Sequence, residues 1–206
     1  MYRPLITSNS LIYILTFHIK HGNIDKIREI LQLGRLDEKQ GHTLLFCAVL
    51  CKQFEIVSEL LAQGCQVTIA GDSAPFRMAL LSGNLKIVEL LVVHGADLLI
   101  FVTKNPDIFR ANGNYLCRLI HFVIQGRTTD VKETLHHLKL SQILRYEVMR
   151  LAVACGYTEM VKELLSLDFE INIKSIDCKQ SPLEIAISRD NFEMAELLET
   201  EKAYLF

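Results

Sequence analysis

The chain lacks a charge excess of either sign. Its 22 Lys and Arg nearly balance its 24 Asp and Glu, and the basic residues form no stripe along the sequence. Proteins that bind nucleic acid directly usually carry such a stripe, so we expect no nucleic-acid partner. Long apolar runs are lacking too. The segment 11–15 is too short and too interrupted for a signal peptide or a membrane span, so we predict no membrane span.

Paired cysteine motifs are also lacking. The six cysteines show no Cys-x-x-Cys spacing, which favours reduced thiols in a cytoplasmic compartment over a disulfide framework. They are Cys47, Cys51, Cys65, Cys117, Cys155 and Cys178.

Motifs for catalysis are lacking as well. There is no phosphate-binding Gly loop, no Gly-x-Ser-x-Gly elbow and no pair of carboxylates at a catalytic spacing. Cys47 and Cys51 share a helix face near His42, but a closed metal site needs four ligands and no second cluster has a matching spacing. We therefore predict no catalytic, metal or cofactor site and no enzyme. A divergent enzyme built on Cys47, Cys51 or Cys155 and a neighbouring His is a further hypothesis.

What the chain does contain is a pattern that recurs six times. Each copy is a small-residue helix, a turn and a second apolar helix, and the copies align on the residue that ends the first helix. These anchors are Gly22, Lys52, Gly83, Gly126, Gly156 and Asp190, spaced by 30, 31, 43, 30 and 34 residues. A period near 33 residues indicates stacked helix pairs, because one pair alone cannot bury its apolar face. The second helices are predicted at 24–31, 54–61, 85–92, 128–135, 158–165 and 192–198.

Small and apolar residues recur at fixed places in these copies. A small residue at one position of the first helix lets neighbouring helices approach, and Leu pairs form the buried stripe of the second. The small residues are Ala48, Ala79, Ala152 and Ala186. Gly34, Gly64 and Gly95 follow the second helices, where a left-handed cap is expected.

The segment 74–97 resembles the ankyrin repeat closely. The residues that carry the resemblance are Pro75, Ala79, Gly83, Ile87, Val88, Leu90, Leu91, Gly95, Ala96 and Asp97. The resemblance implies an all-α, ankyrin-repeat solenoid of stacked antiparallel helix pairs with short hairpin loops, in one domain over 1–206. The implied repeats are 10–36, 40–69, 71–99, 114–142, 144–174 and 178–202. In the first and fourth, His18 and Phe122 replace the small Ala, so those pairs are either more widely spaced or shifted by a turn.

The resemblance also implies a function in protein binding. Partners of ankyrin-type proteins usually contact the concave side, made by the hairpin tips and the exposed face of each first helix. Carried onto this sequence, and with the long connection included, the predicted partner-binding residues are His42, Leu50, Cys51, Asp72, Leu81, Phe101, Phe109, Tyr115, Ile124, Arg145, Tyr146, Lys179 and Arg189. We expect a monomer that binds an unidentified protein.

The long connection 98–112 breaks the period and is unusually apolar. It must either fold back over the stack or meet a partner, and Phe101 and Phe109 are the residues that decide. The alternative function is a regulator or inhibitor whose insertion occludes the active site of a partner enzyme.

Two features concern the cellular context. The Glu-rich, apolar-ended C-terminus 193–206 resembles translocation signals of effectors that intracellular bacteria inject into host cells. This suggests a host protein as partner and secretion into the host cytosol as the alternative location. The segment 164–172 is similar to the pattern hydroxylated on Asn in many ankyrin proteins, with Asn172 as the acceptor.

Overall fold

The fold is built from helices. A computed structural model describes residues 8–34, 36–110, 113–171 and 179–203, with the side chains of residues 8, 9, 202 and 203 left out. These residues form thirteen α-helices and one 3-10 helix. Their one extended pairing is an isolated antiparallel bridge between Ile69 and Asp72. Among the described helices, none is both long and apolar enough to cross a membrane.

The chain divides into two compact units, Met1–Ala96 and Asp97–Phe206. The first contains three helix pairs. Their helices are α1 (Ser8–Lys20), α2 (Ile24–Leu33), α3 (Glu38–Leu50), α4 (Phe54–Ala62), α5 (Ala74–Ser82) and α6 (Leu85–Val93). The first helices α1, α3 and α5 contact one another in sequence, and α4 contacts both α2 and α6. The unit is therefore a stack with one layer of first helices and one of second helices.

The second unit begins with the long connection and then repeats the arrangement. The connection forms α7 (Leu98–Lys104) and the 3-10 helix (Pro106–Phe109). The pairs that follow are α8 (Tyr115–Ile124) with α9 (Thr128–His137), α10 (Gln142–Cys155) with α11 (Thr158–Ser166), and α12 (Pro182–Ser188) with α13 (Phe192–Ala203). Here α10 lies between α8 and α12, and α9 contacts α11. The prediction of a single domain over 1–206 stays a prediction.

All six anchors end their first helices in the same way. Each has a positive φ between 56° and 77°, including Lys52 and Asp190, which carry side chains. At five of them, the N–H of the next residue donates to the carbonyl four residues before the anchor. Asn23 donates to His18 and Arg127 to Phe122, just as Gln53 donates to Ala48. The first and fourth pairs are therefore in register, and no one-turn shift occurs.

The small residues of the first helices lie at the centre of the stacks. Ala48, Ala79, Ala152 and Ala186 are completely buried, as a close approach between helices requires. His18 and Phe122, at the same position in α1 and α8, are half-buried. Larger side chains are accommodated there because both extend to the surface.

The caps of the second helices follow the prediction in two of three cases. Gly64 and Gly95 have φ of 84° and 100°. Gly34 does not fit the prediction, because its φ of −162° is extended backbone. The next helix, α3, begins only four residues later with a capping box between Asp37 and Gln40, so the chain leaves α2 directly toward that cap.

The apolar connection packs into its own unit. Asp97 caps α7 by accepting from the N–H of Ile100 at 2.9 Å, and Leu98, Leu99, Phe101 and Val102 are buried. The rings of Phe101 and Phe109 meet edge to face, 6.2 Å apart. The connection is therefore a structural element of the core of the second unit.

Candidate partner-binding surfaces

The first helices of the first unit, α1, α3 and α5, share an exposed side, which we call the open face. Because α1, α3 and α5 stack in register, equivalent residues of the three helices form rows across the open face. Two of these rows lie five and two positions before the anchors. These are Phe17, Cys47 and Met78 in one row and Lys20, Leu50 and Leu81 in the next. About half of the surface of Phe17 and Leu50 is exposed, at 51% and 52%.

The remaining rows complete the open face without adding an acid. They are Tyr13, Thr43 and Ala74, then Thr16, Phe46 and Arg77, and finally His21, Cys51 and Ser82. The face as a whole carries Lys20, Arg77 and His21 and no carboxylate. It is an apolar surface with a few basic groups.

The Cys47 thiol of the open face is not set up for nucleophilic chemistry. Burial raises the pKa of Cys47, with a further increase from Cys51 and a small opposing effect of Lys20. Elsewhere, burial raises the pKa of Cys65 to about 11 and also raises those of Cys117 and Cys155. Thiols with a raised pKa are protonated at neutral pH and react slowly. Within the described ranges, no group of three or more His, Cys, Asp or Glu could hold a metal ion.

The structure leaves eight of the predicted binding residues accessible. In the first unit, Leu50, Cys51 and Leu81 belong to the open face, and Asp72 lies at a hairpin tip, where its Oδ1 accepts from the N–H of Ala74 at 2.9 Å. In the second unit the accessible residues are Tyr115, Ile124, Arg145 and Arg189. The ring of Tyr115 stacks 5.7 Å from that of His137.

Five predicted binding residues have side chains that are buried rather than at the surface. They are His42, Phe101, Phe109, Tyr146 and Lys179. Phe101, Phe109 and Tyr146 are core residues, so no partner reaches them in this fold. His42 is buried in the first turns of α3, and its Nε2 has no hydrogen-bond partner among the described residues. The ammonium of Lys179 is directed inward, at 2.9 Å from the Glu147 carboxylate.

The second unit differs from the first because α7 covers part of its equivalent face. Glu147 and Arg150 of α10 occupy the positions of Thr43 and Phe46 in α3, counted from their anchors. In α3 these positions are exposed or half-exposed, whereas Glu147 and Arg150 are buried. The covering element is α7, which contacts α10. Its Leu98 N–H donates to Glu147 Oε2 at 3.1 Å.

A network of four charges fixes this arrangement. Arg150 donates from Nη2 to Asp97 at 3.0 Å, from Nη1 to Glu147 at 3.1 Å and from Nε to the carbonyl of Gln180 at 2.8 Å. Lys179 donates to Glu147 from the other side. The two acidic and two basic groups have a net charge of zero. Each buried charge has a partner of opposite sign, which a site of low dielectric requires. The network joins α7, α10 and the chain that leads into α12.

The pKa of Asp97 reflects the opposing effects of burial and pairing within the network. Its burial acts to raise the pKa, but the N–H of Ile100 and the guanidinium of Arg150 outweigh that effect and hold the pKa below its ordinary value of 3.8. Asp97 is therefore charged at neutral pH.

Sequence reasoning missed this network. Glu147 and Arg150 lie three residues apart on one helix and replace uncharged residues of α3, which is the signal that could have revealed them. Their partners could not be found in the same way, because they lie 53 and 32 residues away along the chain.

Comparison with known proteins identifies one repeat directly. A family model of the ankyrin repeat matches residues 40–72, which include most of α3, all of α4 and the turn closed by the Ile69 to Asp72 bridge. No curated protein matches the chain. The chain is thus an all-α repeat protein of stacked helix pairs in which residues 40–72 match the ankyrin repeat.

Proposed function

We propose that this protein is a non-enzymatic interaction module that binds a partner protein through the open face of the first unit. The observation that carries the proposal is the row of Phe17, Leu50 and Leu81 with its neighbours, an apolar face without carboxylates. The match of 40–72 to the ankyrin repeat supports it, since such repeats typically serve protein interactions. Accessible residues of the second unit, Tyr115, Ile124 and Arg189, are further proposed contacts.

The open face has the composition of an interface core. Interface cores are depleted in acidic groups and enriched in aromatic, Met and Arg side chains, and the open face contains Phe17, Met78 and Arg77. The insertion is not part of the proposed surface, because Phe101 and Phe109 are buried. For the same reason we do not propose that it occludes the active site of a partner enzyme.

The test is a comparative capture experiment with a double variant. Leu50→Asp with Leu81→Asp places two charges on the open face, and we expect proteins captured from lysate by the wild-type chain to be lost. Ile100→Asp is the matched control, because Ile100 is equally exposed, at 53%, on the outer side of α7. Equal capture by the wild type and the double variant would contradict the proposal.

We also propose that the partner is a host protein and that the chain is secreted into a host cytosol. This rests on the Glu-rich segment 193–206, whose described part lies mostly in α13 with Glu193, Glu196 and Glu199 exposed. Deleting the last fifteen residues should abolish translocation in a reporter assay. Retained secretion with reduced stability would show that the segment is only a cap.

Asn172 lies outside the described residues, so its hydroxylation stays a prediction.

A further inference from the structure

A groove in the second unit lies between the ends of two second helices and the start of α10. Its floor is apolar: Leu135, Leu138 and Leu140 come from the α9 end and the following loop, and Leu167 and Phe169 from the end of α11. The cavity volume is about 430 Å³, and one side is open to solvent. Leu167 is 40% exposed at this opening, so the groove presents an apolar side chain to solvent.

The ionisable side chains that line this groove are all basic. Arg145, Lys132 and His136 surround the apolar floor. Lys132 is already paired with Glu163 of α11. Arg145 has no carboxylate partner among the described residues, and its guanidinium stacks on the Phe169 ring, 5.5 Å from the centroid. Stacking holds the guanidinium plane in place and leaves its N–H edges available for a carboxylate.

The apolar floor and basic border are not general properties of this fold. The first unit has grooves at the corresponding places between second-helix ends, with volumes of about 440 and 400 Å³. The larger is bordered by Asp37 and Glu38 and has Gly34, Gly41 and Gly64 in its wall. The smaller is lined largely by short or uncharged polar residues. The groove of the second unit is distinguished by its own side chains.

We propose that this groove binds an acidic and apolar peptide segment of a partner protein. A bulky apolar side chain of the segment occupies the floor, and a flanking carboxylate pairs with Arg145. The Arg145 guanidinium selects an acidic segment, and the half-open shape admits one or two side chains. The inference rests on the proposed function in protein binding, but it uses a surface separate from the open face.

The proposal is tested with peptides of defined sequence. The ¹⁵N-labelled full chain is titrated with acetyl-Glu-Glu-Leu-Phe-Glu-Glu-amide and, in parallel, with the Gln and Lys analogues, while amide shifts are followed by NMR. We expect shifts at residues 132–145 and 163–169, and binding at least about tenfold weaker for the Gln peptide, which corresponds to one charge-assisted hydrogen bond. Equal affinities for the three peptides would overturn the proposal, as would shifts confined to other residues or no binding at millimolar peptide.

Variants identify the residue responsible and exclude another ligand class. Arg145→Gln should weaken the Glu peptide about tenfold, whereas Lys162→Gln, which removes an exposed charge from α11, should not change binding. An equal loss of affinity for the Glu peptide in both variants would contradict the proposal. Dodecanoate is the probe for a fatty-acid ligand, and its saturable binding without peptide binding would also contradict the proposal. The Leu50→Asp and Leu81→Asp double variant should bind the Glu peptide normally, so a failure of the open face and a failure of the groove give different results.

Discussion

At the scale of single residues, backbone conformation decides the most informative substitutions. Lys52 has a φ of 57°, a left-handed conformation that costs an L residue about 1–2 kcal/mol. Lys52→Gly should therefore raise the free energy of unfolding by about 0.5–1 kcal/mol, since part of the relief is offset by the greater freedom of Gly in the unfolded chain. Urea denaturation of the two proteins measures the difference, and a loss of stability would contradict the assigned backbone.

Gly126 should respond in the opposite direction and more strongly. A Cβ at this position would lie 2.8 Å from the ring of Tyr157, and φ is 70°. Gly126→Ala should cost about 2 kcal/mol or more because it adds a clash to the backbone strain. Gly64→Ala is the matched control, since φ is 84° there and no atom lies within 4 Å of the added Cβ. Equal losses for the two variants would show that the ring of Tyr157 does not lie over Gly126.

The sequence predicted the anchor positions but not the side chains that pack against them. The spacing alone placed Lys52 and Asp190 at anchor positions, although neither is Gly, but it did not predict their positive φ. The contact between Gly126 and Tyr157 depends on how two repeats stack, which no local pattern contains. The buried positions of His42 and Tyr146 were missed for the same reason.

At the scale of elements, the second helices were the most predictable part. All six begin at the predicted residue, as Ile24 and Thr158 illustrate, because the preceding turn has the same length after every anchor. The connection 98–112 was recognised as an insertion, but its helix α7 was not predicted. The apolar run there has no helical periodicity, and its partners lie in distant segments.

The packing of α7 and the 3-10 helix should contribute strongly to stability. Phe109 is 1% exposed and meets Phe101 edge to face, so Phe109→Ala should cost about 3–5 kcal/mol through the cavity it leaves. Ile100→Ala, on the exposed side of α7, should cost much less. Thermal or urea unfolding measures both. Partner capture that is lost in a fully folded Phe109→Ala variant would contradict a purely structural role.

The charge network makes a separate prediction about pH. Because the pKa of Asp97 is lowered in the folded state, its contribution to stability is present at neutral pH and is lost as the pH falls through the lowered pKa, below about 4. Asp97→Asn keeps a capping oxygen for α7 but removes the charge. The loss of unfolding free energy between pH 7 and pH 3 should therefore be smaller in this variant than in the wild type. An unchanged pH dependence would contradict the role of the Asp97 charge.

Replacing Arg150, at the centre of the charge network, should lower the free energy of unfolding strongly. Arg150→Met leaves Asp97 without its buried cation and Glu147 with Lys179 alone, and removing one partner of a buried pair typically costs about 3–5 kcal/mol. Arg28→Met is the control, because Arg28 makes a shorter ion pair with Glu59, at 2.7 Å, but is half exposed. Exposed pairs contribute little to stability because solvent screens them, so Arg28→Met should cost much less than Arg150→Met. Similar losses in chemical denaturation would contradict the buried network.

At the scale of the whole molecule, the break in the repeat period coincides with a division of the chain. The first unit ends at Ala96, and the second begins at Asp97. This division falls within the 43-residue step from the anchor Gly83 to the anchor Gly126. In the first unit the face of the first helices is open, whereas in the second α7 covers part of it. The same repeat pattern therefore yields two different surfaces. The sequence predicted exposed binding residues in both units, whereas in the structure most of the buried ones belong to the second unit.

The most direct test of the account is site-specific photo-crosslinking. A photoreactive phenylalanine analogue is placed at Leu50 or Leu81 on the open face, or at Leu33, which is 69% exposed near the end of α2. We predict that one protein crosslinks through positions 50 and 81 and that position 33 gives no such product. Crosslinking through position 33 but not through 50 or 81 would contradict the proposal that the open face is the binding surface.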